Sequence, residues 1–434
     1  MRDLLLIAIV VAGCAASLRR PWIGIMLWTW LSIMNPHRYT WGFAYSAPLA
    51  AAAVAFVGLG LLMTKERESP FKGLPVTFLV LFMFWMAVSW LLGPNIEGDY
   101  EQWKKVMKID VMILVALMLL RSKQHIFALM WVCVGSLALL GIKGGIFTLT
   151  SGGGYRVWGP PGSFIQDNNE FALALVMTIP LIRFLQLQLS NKWGRLAMTG
   201  AMVLCAASAL GSQSRGGLLA IAAMAITLWW RGKGKFQMAI LLIAAAVPLV
   251  AFMPDSWTER MNSIGEYQED SSAMGRINAW WAAWNIAMNH PTGMGFNPAK
   301  PEVFAKYAPD PLAIHAAHSI YFQVLGNHGF IGLLFFLGIW FSCWWTAGWL
   351  RSQKNLPPEA RWTLELGAMC QVALVGYAIG GAFLSLSYFD LPYNILVLLV
   401  LTRVWVAKKS WQTEPAFLPG WRTIPGLASQ TKKL

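Results

Sequence analysis

Three groups of residues in this sequence have types and settings that suggest chemistry. The first is Arg215, in Gly211-Ser212-Gln213-Ser214-Arg215-Gly216-Gly217, a short turn between two apolar stretches. A guanidinium beside hydrocarbon is costly without an anionic partner, and the small residues around it let a ligand approach the backbone closely. Snorkelling to the interface or capping of helix carbonyls is the alternative. A second arginine, Arg276, lies in Ser271-Ser272-Ala273-Met274-Gly275-Arg276-Ile277-Asn278-Ala279-Trp280. With Ser271 or Ser272 as cap, a mostly apolar helix should run to Met288 with Arg276 in its first turn, where exposed amides also favour an anion. A phosphate group near a bilayer surface fits that setting, and a salt bridge to Asp270 is the competing account.

The second group is His315 and His318, in Ile314-His315-Ala316-Ala317-His318-Ser319-Ile320-Tyr321, where the chain re-enters an apolar run. A neutral imidazole there is the side chain best suited to take a proton near neutral pH. Three residues apart, the two histidines could share a helix face. No acid stands at a zincin-like spacing, so no metal site is expected. The third group is Trp103-Lys104-Lys105-Val106-Met107-Lys108, where Lys105 and Lys108 put positive charge at a helix start, against the dipole preference. An anionic headgroup would account for it, and so would pairing with Glu97, Asp99 and Glu101. Further on, 159–170 is a Pro/Gly loop ending in Asp167-Asn168-Asn169-Glu170, where Asn168 and Asn169 suit either sugar binding or helix capping.

The elements that must position these residues are membrane helices. Of 434 residues 57% are apolar and 12% charged, which excludes an ordinary soluble enzyme. Trp and Tyr favour membrane–water boundaries, and 24 Trp are present. Apolar blocks fall near 3–18, 21–34, 47–63, 74–92, 106–120, 126–148, 171–189, 196–211, 217–230, 236–252, 319–350, 362–388 and 391–407. The first two are short and joined by Arg19-Arg20-Pro21, so they are two crossings or one re-entrant hairpin, giving 12 or 13 spans. Val11-Ala12-Gly13-Cys14 resembles a lipoprotein cleavage site, but one arginine beside an aspartate is a weak charged start, and an uncleaved first helix is expected. All five cysteines lie in apolar runs without metal-ligand spacing.

Lys/Arg bias orients the chain. With the C-terminal tail inside, alternation gathers 22 basic and four acidic residues on the cytoplasmic side, leaving 12 basic and 16 acidic elsewhere. The net +14, which in a soluble protein would suggest nucleic acid, is therefore an orientation signal, and no nucleic-acid partner is expected. The expected organisation is membrane helices over 1–252, a large external loop over 253–317, membrane helices over 318–407 and a basic tail over 408–434.

The Ser-Arg-Gly-Gly turn at 214–217, Gly-Arg-x-x-x-Trp at 275–280, the Pro-x-Gly-x-Gly turn at 291–295, and His318 followed by Gly-x-x-Gly-Phe-Ile-Gly, in this order, resemble the O-antigen ligase superfamily. Met34-Asn35-Pro36-His37-Arg38-Tyr39 and 167–170 resemble its exosortase-associated, putative O-glycosylation branch. The resemblance implies an all-α, polytopic membrane glycosyltransferase of GT-C type with about 12 transmembrane helices, in the bacterial inner membrane and with its active site facing the periplasm. It implies a metal-independent, inverting transfer of a preassembled glycan from undecaprenyl pyrophosphate to lipid A core, with no cofactor and with membrane lipids as surroundings. Arg215 and Arg276 match arginines expected to hold the pyrophosphate, and His318 matches the essential histidine. Lys105 or Lys108 stands near the place of a periplasmic lysine. Ser319 stands where many relatives carry Asn. O-antigen polymerase, protein O-oligosaccharyltransferase and, from another class, a lipid-linked glycan transporter are the competing readings.

Overall fold

The computed structural model describes residues 1–94, 96–231, 235–262 and 271–414, and among these it is all helical. The helices are α1 (Arg2–Arg19), α2 (Pro21–Met34), α3 (Leu49–Met63), α4 (Leu74–Leu92), α5 (Asp99–Leu119), α6 (Lys123–Thr150), α7 (Asn168–Leu187), α8 (Lys192–Gly211), α9 (Arg215–Arg231), α10 (Lys235–Ala251), α11 (Asp255–Asn262), α12 (Ser271–Asn289), α13 (Pro301–Tyr307), α14 (Ile320–Ser352), α15 (Trp362–Gly381) and α16 (Asp390–Ala407). Several start where the sequence offers a cap. Ser122 accepts from His125 N before α6, Asp167 from Asn169 N before α7, and Asn191 from Trp193 N before α8.

Seven of the described helices are long and apolar enough to cross a membrane, and the chain is a multi-pass membrane protein. α7 and α16 form the centre, with 83% of each apolar window enclosed by protein against 33% for α4 at the periphery. α1 and α2 run antiparallel, turning at Arg20 and Pro21, and Asp3 at the start of α1 accepts from Gly42 N and Ala44 N beyond α2. The loops that the charge count groups as cytoplasmic meet at one end. There Glu68 pairs with Lys72 and Lys408 at 3.0 and 3.1 Å, Arg121 with Glu66 at 2.7 Å, and Glu414 accepts from Lys123 N. The 253–317 segment lies at the other end, called here the loop side. Of the cytoplasmic set, Lys233, Arg422, Lys432 and Lys433 lie outside the described residues.

The apolar blocks at 319–350 and 362–388 are each less regular than their composition suggests. α14 is broken at Gly329 (φ 66°, ψ −171°), and a Cβ there would stand 2.1 Å from Pro291 O. The carbonyls freed by the break are used: Gly326 O accepts from Met294 N at 3.1 Å, Asn327 O from Gly295 N at 3.0 Å, and His328 O from Trp85 Nε1 at 2.8 Å. The turn at 290–295 therefore plugs into the broken helix, with Gly293 (φ 73°) so close that a Cβ would lie 2.3 Å from Asn327 O. Ser89 of α4 bonds both sides of the joint, to Thr292 O and to Asn327 O. The second block is helical only to Gly381, and 382–389 is an irregular segment that turns back into the loop side.

Two outcomes follow from this packing. Gly329→Ala combines a strained φ with a clash against backbone and should destabilise the fold by about 3 kcal/mol or more, read as lost monodisperse yield in detergent. Asp99, 1% exposed at the start of α5 and ahead of its apolar stretch, packs against Gly295. Burial raises its pKa to about 6, against the pull of the Asn297 and Phe296 N–H groups and of Lys300. The folded chain thus holds more protons than the unfolded one between about pH 4 and 6, and stability falls as pH rises through that window. Asp99→Asn should raise the melting temperature near neutral pH, by a gain of roughly 2 kcal/mol, and change it little near pH 4, as read by scanning fluorimetry at both.

Candidate functional site

The site is assembled at the loop side from four pieces. The start of α7 carries Asp167, Asn168, Asn169 and Glu170. Asp167 acts as cap, accepting from Asn169 N and Asn169 Nδ2, both at 2.8 Å. Burial alone would raise the Asp167 pKa, but its bonds to Glu170 and Asn169 and the nearby His318 together hold it below its ordinary value. Asn168 is buried and turned inward, and its Nδ2 donates to Ser212 O at 2.6 Å. That bond ties α7 to the second piece, the turn that carries Arg215. In this turn Ser212 Oγ accepts from Ser214 N at 3.2 Å and Ser214 Oγ from Gly217 N at 3.0 Å, so Ser214 caps α9 and Arg215 is its first residue.

The third piece is the irregular segment 382–389. Phe383 and Leu384 pack on Gly216 beside Arg215, while Ser385 N donates to Glu170 Oε1 at 3.3 Å. Further along, Ser387 Oγ donates to Ile320 O at 3.1 Å, and Tyr388 OH meets Asn327 Nδ2 and His328 Nε2 at 2.9 and 2.8 Å. The fourth piece is α12 with the return of the chain into α14. Trp280 lies flat on Phe322 (centroids 5.0 Å, 7°), touches Phe383, and donates from Nε1 to Ala317 O at 2.7 Å. His318 is thus held between a pinned carbonyl before it and the pinned first turn of α14 after it.

His318 has φ 42°, an uncommon value for a residue with a Cβ, and its Nδ1 points at Glu170 Oε1 at 3.8 Å. Glu170 is 7% exposed on its side chain against 30% for His318, so the acid lies behind and the imidazole in front. The separation exceeds a hydrogen bond and needs a movement of under about 1 Å to become one. Such a pair leaves Nε2 as the free edge of the ring when Nδ1 carries the proton. Beside this pair, on the Glu170 side, lies a cavity of about 290 Å³ lined by Trp158, Ser163, Phe164, Gln166, Asp167, Glu170 and Ser385.

The placement of other sequence candidates is mixed. Arg276 is the sixth residue of α12, beyond the first turn, because the helix already begins at Ser271; its setting is therefore not that of a helix N-terminus. Asp270, its suggested partner, lies outside the described residues. His315 and His318 precede α14 rather than share a helix face, since 313–318 is irregular, and the His315 ring packs against Gly275, next to Arg276. Among the described residues no group of His, Cys, Asp and Glu is disposed to hold a metal ion. Lys104 takes the local pairing, with Glu101 at 2.7 Å, while Lys105 lies over the Phe164 ring at 3.8 Å and Lys108 lines the cavity beside it.

Glu170 and Ser385 were not singled out by sequence reasoning. Glu170 stands three residues after an Asp cap, the spacing of a capping box, and that explanation absorbed it. Ser385 sits in an apolar run where only Gly380-Gly381 and the alternating serines 385 and 387 signal an interruption.

An all-helical, multi-pass bundle with a recessed His–Glu pair and the Arg215 turn at one end fits the class of membrane-embedded enzymes. Residues 200–337 match the family described as O-Antigen ligase, and residues 1–190 match a family of unknown function, DUF5935. The first match supports a place for the chain in the O-antigen ligase superfamily, whose members are glycosyltransferase-like enzymes. A search of curated proteins finds no match. Arg215, Arg276 and His318 fall within the first region and Glu170 within the second, so the site is divided between them.

Removing the tie between α7 and the Arg215 turn has a definite expected cost. Asn168→Ala leaves the fully buried Ser212 carbonyl without its donor and should destabilise the protein by roughly 2 kcal/mol in a thermal melt. Asn168→Asp should not restore it, because a carboxylate has no N–H to give.

Proposed function

We propose that the protein is an O-antigen ligase. It transfers a preassembled glycan from undecaprenyl pyrophosphate to a sugar hydroxyl of lipid A core, at the periplasmic face of a bacterial inner membrane. In this reading the chain crosses the membrane about 12 times, 253–317 is the external loop and 408–434 the cytoplasmic tail. What supports this reading most is the His318–Glu170 pair near the Arg215 turn, with His318 and Arg215 both in the region that matches O-antigen ligases.

The chemistry follows from the atoms present. A sugar hydroxyl is a poor nucleophile at neutral pH, and His318 Nε2 takes its proton as the new C–O bond forms. The imidazole becomes positive, and Glu170 behind Nδ1 stabilises that charge and holds the tautomer. The glycan's anomeric carbon inverts as its bond to the pyrophosphate oxygen breaks. Arg215 and Arg276 hold the departing pyrophosphate by charge-assisted bonds, for which planar guanidinium groups are suited. Asn169 and His315 lie close enough to this end to contact sugar. Donor and acceptor, both lipid-borne, arrive laterally under the 253–317 segment.

The same site would serve a polymerase, whose acceptor is a growing glycan, or a protein O-oligosaccharyltransferase. A lipid-linked glycan transporter would use the arginines and form no bond. Purified protein incubated with lipid-linked glycan and, separately, with rough lipopolysaccharide, free glycan or acceptor protein separates these readings by mass. The expected result is a glycan-sized shift on lipopolysaccharide alone; a shift on another acceptor selects a rival, and no product anywhere selects transport. His318→Ala and Glu170→Gln should each lower transfer by about a hundredfold or more without loss of fold. Near-normal transfer by His318→Ala would reject the mechanism.

A further inference from the structure

A larger cavity at the loop side neighbours the one beside Glu170. It encloses about 440 Å³ between α2, the segment after α2, α5 and the 162–164 loop. Lys105, Lys108, His37, Gln102, Trp28 and Phe164 are among the residues that line it. Lys104 is committed to Glu101, but Lys105 and Lys108 have no carboxylate within 4 Å among the described residues. Asp390, also at this cavity, accepts from the Ser32 hydroxyl at 2.6 Å and is the one acid near enough to act electrostatically on Lys105 among the described residues, leaving the cavity a net positive charge. His37 lines the same cavity and adds an imidazole to its polar wall. Two lysines, an imidazole and an amide beside two aromatic rings suit a ligand that combines phosphate with a sugar face.

Position says which ligand. Ser163 and Phe164 belong to this cavity and also to the smaller one that holds Asp167 and Glu170, so the two are neighbours across a shared wall. The Arg215 turn is fastened to the start of α7 on α9, which packs on α7, α8, α10 and α15. α5 instead packs on α2, α4 and α16. The lysines and Arg215 are thus separate cationic groups with Glu170 and His318 between them, the layout of a two-substrate reaction.

We propose that the Lys105/Lys108 cavity is the acceptor subsite, recognising a phosphate-bearing saccharide whose free hydroxyl reaches past Phe164 to His318. This rests on the glycosyl-transfer reading above for the identity of the acceptor, and it assigns a binding role to the region that matches a family of unknown function.

The test is binding, which needs no transfer and is read whether or not the proposed reaction occurs. Lipid-free core oligosaccharide, either phosphorylated or treated with phosphatase, is titrated into the full-length protein in nanodiscs. Wild type should bind the phosphorylated form about tenfold more tightly. In the double variant Lys105→Gln/Lys108→Gln that preference should vanish while the melting temperature and the Kd for lipid-linked donor, titrated in the same nanodiscs, stay unchanged. Equal binding of the two oligosaccharides by wild type overturns the proposal, as does a preference that survives in the variant. A raised donor Kd in the variant would assign the lysines to the pyrophosphate, and displacement of the oligosaccharide by phosphatidylglycerol vesicles would assign them to bilayer headgroups; either result overturns it.

Discussion

A helix broken inside hydrocarbon must find new partners for the carbonyls it releases, because no water is there to take them. α14 breaks at Gly329, and the rest of the loop side is arranged around satisfying that break. The 290–295 turn supplies two N–H groups and Trp85 a third, so the segment that leaves the bundle after α10 is fastened back into it. With that anchor made, α12 lies against the start of α14, and Trp280 can reach Ala317 O and fix the approach to His318. The His318 backbone is strained, and the bonds on both sides of it keep it so.

The polar side chains of the site divide into those that hold backbone and those that face the cavity. Asn168, Ser212, Ser214, Ser387 and Trp280 spend their hydrogen bonds on carbonyls and amides, which fixes where the Arg215 turn and His318 stand. From the backbone Glu170 takes only the long bond from Ser385 N, and its other oxygen and His318 Nδ1 are not spent in this way. A reaction that separates charge needs groups already in place, since reorganising them during the step would cost part of the barrier reduction they provide.

Much of this was legible in the sequence, for identifiable reasons. Each apolar stretch read from composition contains a helix, because length and apolarity leave a chain in lipid little else to form. Arg215 and His318 stood out because a charge or an imidazole among apolar residues has few routine explanations. Glu170 did not, because an acid in a first helical turn has a routine one. The break in α14 and the end of α15 at Gly381 were hidden for a related reason: 319–350 and 362–388 remain apolar across the interruption, and hydropathy registers apolarity, not backbone path. Arg276 was placed too near the helix start because both serines taken as possible caps lie inside the helix, as its first two residues.

The segment 382–389 belongs to neither matched region, yet Ser385 contacts Glu170, Phe383 contacts Trp280, and Tyr388 closes the network at the α14 break. It is held between α15 and α16, the last two helices of the bundle. During synthesis every other piece of the site is therefore already in the membrane before the residue that completes it leaves the ribosome. Until that final hairpin inserts, Glu170 lacks its backbone donor and the Arg215 turn lacks the covering of Phe383 and Leu384. A chain arrested before α16 therefore carries Arg215, Arg276 and His318 without 382–389 held in place against them.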